Sequence, residues 1–126
     1  MKREIICTDK APKPGNYSQA IKYGNLIFVS GQTADDIRTG KPIYGNVAEQ
    51  TKHILNNIKS ILEAAGSGMD KVLKCTVFLS SIKDKEEFEG VYKAFFLENP
   101  PTRIAVGVKE IDAGLDVEID VIAAAK

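Results

Sequence analysis

The chain has 126 residues, 44% hydrophobic and 27% charged, with 17 basic residues balanced by 17 acidic ones for a formal net charge of zero. Such a composition excludes a disordered chain, and the length suits one domain, residues 1–126, with a real core. Balanced charge argues against a general nucleic-acid surface, and the sequence holds neither a membrane-length apolar run nor the apolar segment of a secretory signal.

Ile5-Ile6-Cys7 is a short strand candidate. The segment from Ala11 to Tyr17 holds two prolines and a glycine, so it is irregular and places Tyr17 on a constrained loop. Ala20-Ile21-Lys22-Tyr23 is extended, Gly24-Asn25 signals a turn, and the apolar run Leu26-Ile27-Phe28-Val29-Ser30 predicts a buried strand. Gly31 follows at once, where a backbone approaches something closely. Thr33 to Pro42 is polar and reads as loop.

Val47, Ile54, Ile58, Ile61, Leu62 and Ala65 recur at helical spacing and predict a helix over 47–65, ended by Gly66-Ser67-Gly68. Leu73, Cys75, Val77 and Leu79 alternate with Lys74, Thr76, Phe78 and Ser80, which predicts a strand with Leu73 on its apolar face. Ser81 to Asp84 suit the cap of a second helix with the stripe Phe88, Val91, Tyr92, Phe95 and Phe96, stopped by Asn99-Pro100-Pro101. Two strands finish the chain, around Ile104, Val106 and Val108 and around Val117, Ile119 and Val121, with a turn at Asp112-Ala113-Gly114. The order β-β-β-α-β-α-β-β predicts an α+β sheet with its helices on one face. Ala105 and Gly107, with Phe78 beside them, make a face neither polar nor helix-covered, so a homo-oligomer whose sheets pack together is expected.

Arg103 stands at the mouth of an apolar strand behind Pro100-Pro101, and Glu118 lies inside the last strand. An arginine fork matches a carboxylate bidentately, so this pair suggests a small-acid site; spacing alone favours an edge arginine and an outward glutamate, and also allows an ion pair between the two. Cys7 and Cys75 lack metal-type spacing and read as reduced thiols of an intracellular protein. His53, the one histidine, lies off the helix stripe and reads as a solvated side chain. One histidine without a nucleophile elbow disfavours a Ser-His-Asp hydrolase, and no glycine-rich phosphate loop is present.

Taken in order, the blocks Ala11-Pro12-Lys13-Pro14-Gly15-Asn16-Tyr17-Ser18-Gln19-Ala20, Phe28-Val29-Ser30-Gly31-Gln32, Gln50-Thr51, Asn57-Ile58, Leu62-Glu63-Ala64-Ala65-Gly66, Tyr92-Lys93-Ala94-Phe95-Phe96, Pro101-Thr102-Arg103 and Val117-Glu118-Ile119 resemble the YjgF/YER/RidA family of reactive enamine/imine deaminases, historically the L-PSP endoribonuclease family. The resemblance spans nearly the whole chain. It implies a chorismate-mutase-like fold with a mostly antiparallel sheet, and a cytoplasmic homotrimer with a ligand cleft at each subunit interface. It further implies hydrolysis of 2-imino or 2-enamino acids, released by pyridoxal-phosphate enzymes, to 2-keto acids and ammonia, with no metal or organic cofactor. Within it Arg103 matches the carboxylate clamp, Glu118 the residue that places water or moves a proton, and Tyr17 a cleft wall. Ser30 and Gly31 match the pair that offers hydroxyl and backbone groups to the ligand. Two positions depart from the family: Ala105 stands where members often have cysteine, and Glu89 where they often have asparagine, both beside the expected substrate. Ala105 excludes a thiol nucleophile, while water remains available; Glu89 brings a negative charge towards a carboxylate substrate. These departures sustain a second reading, a non-catalytic small-carboxylate-binding trimer; the ribonuclease or translation-inhibitor role given to some members is weakest here, given the balanced charge.

Overall fold

Asn46 starts the first helix by a reciprocal cap: its Oδ1 accepts the Glu49 N–H at 2.8 Å while Glu49 Oε1 accepts the Asn46 N–H at 3.2 Å. The computed structural model describes residues 1–126, and its elements run β1 (Arg3–Ile6), β2 (Ala20–Tyr23), β3 (Leu26–Gln32), α1 (Val47–Ala64), β4 (Val72–Leu79), α2 (Lys85–Phe95), β5 (Thr102–Gly107) and β6 (Val117–Ala124). Single 3-10 turns precede β4, α2 and β6, the last at Asp112–Gly114 where a turn is expected. This is the expected order, folded as one six-stranded sheet β1-β2-β3-β6-β4-β5 in which only β4 and β5 pair in parallel.

The chain-terminal strand β6 lies between β3 and β4, and its alternation sorts the two faces of the sheet. Val117, Ile119, Val121 and Ala123 are buried in one core with Ile54, Ile58, Ile61 and Leu62 of α1 and Phe88 of α2. The opposite face carries no helix. Ile5, Leu26, Phe28, Ile104 and Val106 remain exposed. Register puts Phe28 beside Ile122, and Phe78 beside Val106.

Two β-bulges change what simple alternation implies. Between Val72 and Lys74 the register against β6 slips by a residue, so Val72 joins the core and Leu73 is turned out, 48% exposed. Leu73 therefore does not share the apolar face with Cys75, Val77 and Leu79. The β5 orientation also corrects the expected open face. Arg103 and Ala105 pair with Cys75 and Val77 and lie on the helix-covered side, so Ile104 and Val106, not Ala105 and Gly107, join Phe78 on the uncovered one. The first helix buries more than its stripe, taking in Gln50, Thr51, Leu55 and Asn57, and His53 is exposed as expected.

Gln50 ties the start of α1 to the start of β6. Its amide nitrogen donates to the Gly45 carbonyl at 2.9 Å and to Asp116 Oδ2 at 3.1 Å, and its Oε1 accepts the Asp116 N–H at 2.8 Å. Asp116 Oδ1 in turn accepts the Ser80 hydroxyl at 2.7 Å. Replacing Gln50, 1% exposed, with leucine leaves the Gly45 carbonyl and the Asp116 N–H without partners. Gln50→Leu is expected to lower unfolding free energy by about 2 kcal/mol, read as a shifted urea midpoint at unchanged slope.

Candidate functional site

The first cluster of candidate residues sits where the Pro12–Tyr17 loop meets the end of β3. The loop lacks regular structure, so its backbone groups need side-chain partners, and buried Gln19 supplies them. The Gln19 amide nitrogen lies within hydrogen-bond distance of the carbonyls of Thr8 (3.1 Å), Ala11 (3.2 Å) and Pro12 (2.9 Å), and its Oε1 accepts the Thr8 N–H at 2.7 Å. Ser30 adds a second anchor, its hydroxyl donating to the Ser18 carbonyl at 2.6 Å. Tyr17 thus projects from a fixed loop, 60% exposed as a residue, at the wall of a cavity of about 200 Å³ that also touches Pro14, Gly31 and Thr33.

Ser30 and Gly31 form the second bulge, the step between Val29 and Gln32 at which β3 gains a residue on β6. A bulge re-aims the strand, and here it brings the backbone against Glu118: a methyl placed on Gly31 would overlap Glu118 Oε2. Burial, then the charges of Asp112 and Asp120, push the Glu118 carboxyl above the ordinary carboxylate range. A carboxylate held closer to neutrality is a better proton acceptor from water than an unperturbed one.

The second cluster lies on edge strand β5 against α2. Phe88, Tyr92 and Phe96 follow at helical spacing and form a ladder of rings, with centroids 5.3 Å and 4.8 Å apart. The Arg103 guanidinium rests on it, its Cζ 4.9 Å from the Tyr92 ring centre and 5.7 Å from that of Phe88. Arg103 Nη2 donates to Glu89 Oε2 at 2.6 Å, and that contact holds the Glu89 carboxyl below the ordinary range. Glu89 therefore meets Arg103 instead of pointing away from the site. Glu89, Tyr92, Lys93, Phe96 and Arg103 line a cavity of about 640 Å³. Ala105 follows on the same face, packed against the core. Beneath Arg103, burial pushes the Cys75 thiol up to about 11, so it stays protonated.

Within one chain these clusters do not meet. Arg103 pairs with Cys75 on the covered face, whereas Glu118 pairs with Phe78 on the open one. The two sit two strands apart, about 10 Å across the sheet. The ion pair between Arg103 and Glu118 that spacing allows is replaced by the one with Glu89. Sequence reasoning missed the supports: Gln19, although it stands in the N-terminal block, and the rings of Phe88 and Tyr92 as a platform for the arginine. The i, i+4, i+8 aromatic spacing was the signal for the platform. No three His, Cys, Asp or Glu side chains converge as a metal set.

The sequence profile described as Endoribonuclease L-PSP matches residues 8–125. A RutC family protein of Pyrococcus abyssi is 46% identical over 124 residues, covering 98% of this chain and 98% of its own. The rat 2-iminobutanoate/2-iminopropanoate deaminase is 41% identical over 122 residues, covering 96% of this chain and 89% of that protein. The crystal structure of yeast Mmf1 superposes with a TM-score of 0.95 at 35% identity, over 99% of this chain and 100% of that one.

The Glu118 environment has a measurable sign. Its folded-state affinity for a proton exceeds the unfolded one, so its charge costs stability once pH rises above the ordinary carboxylate range. Glu118→Gln is expected to raise Tm by roughly 2 °C at neutral pH, with the gain shrinking to nothing as the pH falls below that range. A calorimetric series from pH 3.5 to 7.5 reads it.

Proposed function

The chain belongs to the endoribonuclease L-PSP (YjgF/RidA) family, and we propose that it hydrolyses 2-imino acids and their enamine tautomers to 2-keto acids and ammonia. The observation that carries the reading is the mounted guanidinium of Arg103, stacked on Tyr92 and Phe88 and opening into a cavity large enough for a small organic acid. Similarity to the rat deaminase supports the same chemistry.

In this reaction Arg103 binds the substrate carboxylate and sets the orientation of the imine carbon. Glu118, with its raised proton affinity, removes a proton from water as the oxygen attacks that carbon, forming a carbinolamine. The same carboxyl returns the proton to nitrogen and then takes the proton of the carbinolamine hydroxyl, so that the C–N bond breaks and ammonia leaves as the C=O bond forms; Glu118 gives that last proton to solvent. Tyr17 closes the cleft, and the Ser30–Gly31 bulge offers polar groups to the water or ligand. No side-chain nucleophile takes part, which agrees with alanine at position 105.

Arg103 and Glu118 lie on opposite faces of the sheet, so the reading requires a neighbouring copy of the chain to bring one cluster to the other. A homotrimer with a cleft at each interface meets that requirement. Support comes from the helix-free face, whose exposed Leu26, Phe28, Ile104 and Val106 form an apolar surface that gains from cover. A second reading, a trimer that binds small acids without turning them over, is sustained by the two departures: Glu89 takes up one N–H of Arg103, and Ala105 supplies no thiol.

Hydrolysis of freshly generated 2-iminopropanoate and bulkier imines separates the two. Arg103→Ala is expected to cut the acceleration by at least about 100-fold while light scattering still reports a trimer. If the intact wild-type trimer accelerates none of these imines yet binds 2-keto acids through Arg103, the carboxylate-binding reading replaces the hydrolase.

A further inference from the structure

The arginine cluster has an unusual charge balance for an anion site. Its cavity wall holds Arg103 and Lys93, but also Glu86 and Glu89, so the charged lining sums to zero. Glu89 is not a bystander in that sum. Its Oε2 lies 2.6 Å from Arg103 Nη2, with the Glu89 side chain 43% and that of Arg103 21% exposed. The guanidinium rests between this carboxylate and the rings of Tyr92 and Phe88, so carboxylate and cation face the cavity side by side. Any molecule that reaches the remaining N–H groups of Arg103 also comes beside Glu89.

We infer that Glu89 makes this site select zwitterions, small acids that carry a positive nitrogen beside their carboxylate, over simple mono-anions of the same size. The inference rests on the proposed role of Arg103 as the carboxylate clamp and names the class of ligand that clamp admits. A mono-anion gains Arg103 but is repelled by Glu89. A zwitterion places its carboxylate on Arg103 and its cationic nitrogen towards Glu89, so both wall charges are paired. For imine hydrolysis the distinction has direction. The protonated 2-imino acid is a zwitterion and is the more electrophilic form of the substrate, whereas the 2-keto acid product is a mono-anion. Glu89 therefore favours the reactive form of the substrate and disfavours retention of the product.

Calorimetric titration of the full-length protein with two probes of equal chain length tests this: L-2-aminobutanoate, a zwitterion, and 2-oxobutanoate, a mono-anion. Glu89→Gln keeps the size of the side chain and removes its charge. It is expected to tighten 2-oxobutanoate by about fivefold, the range for a carboxylate open to solvent, and to leave L-2-aminobutanoate unchanged or weaker. Glu89→Asn is expected to shift the ratio the same way. An unchanged ratio of the two affinities in both variants, with Arg103→Ala abolishing both, overturns the role of Glu89 alone. If Arg103→Ala leaves both affinities intact, the clamp reading fails and this inference fails with it.

Discussion

Everything in this fold is organised by the placement of its last strand. β6 is inserted between β3 and β4, and so joins the N-terminal hairpins to the half of the sheet made by β4 and β5. Because a strand has a side-chain period of two, one strand can supply the core and the open face at once. β6 does so: Val117, Ile119 and Val121 are buried under α1, while Glu118 and Asp120 emerge on the other side. A slip of one residue in this strand would bury carboxylates and expose the core set. The Gln50–Asp116–Ser80 hydrogen bonds stand at the residue just before the strand, where they pin that register to α1 and to the end of β4.

The same strand pairing decides where chemistry can occur. The return of the chain through α2 lays β5 parallel to β4 at the sheet edge, and its odd-numbered positions turn towards α2. Arg103 accordingly meets rings, not water, on its flanks, and meets a carboxylate at its tip. Stacking restricts the guanidinium without using its N–H groups, which leaves them available to a ligand. The Ser30–Gly31 bulge has the complementary effect on β3, inside the sheet beside β6. It inserts a residue opposite Asp120, and the missing side chain of Gly31 admits the Glu118 carboxylate against the backbone.

In the proposed function, the cation of Arg103 and the carboxylate of Glu118, on opposite faces, are two incomplete halves of one site. That proposal has association of copies complete them and so links activity to assembly, since the exposed apolar residues Leu26, Phe28, Ile104 and Val106 lie on the face that carries Glu118. The pairing of Glu89 with Arg103 balances the charge at the arginine cluster, two basic side chains against two acidic ones.

The number, type and order of the elements follow from the sequence by itself, because the periodicities that define them are local. The stripe of α1, the ring spacing of α2 and the alternation of β6 each lie within one short segment, and Pro100-Pro101 marks the start of β5. Arg103 and Glu118 stand out as candidates for the same reason, as charged residues beside or inside apolar runs, whereas Tyr17, Ser30 and Gly31 are candidates through the family resemblance. Tertiary structure alone decided the rest. Strand order, and with it the face each side chain occupies, depends on pairing between segments far apart in the chain. That is why Leu73 leaves the core at a bulge, why Ile104 and Val106 take the open face, and why Arg103 is parted from Glu118 and joined to Glu89. Local spacing specifies which residues share a face of their own element; only packing specifies what that face meets.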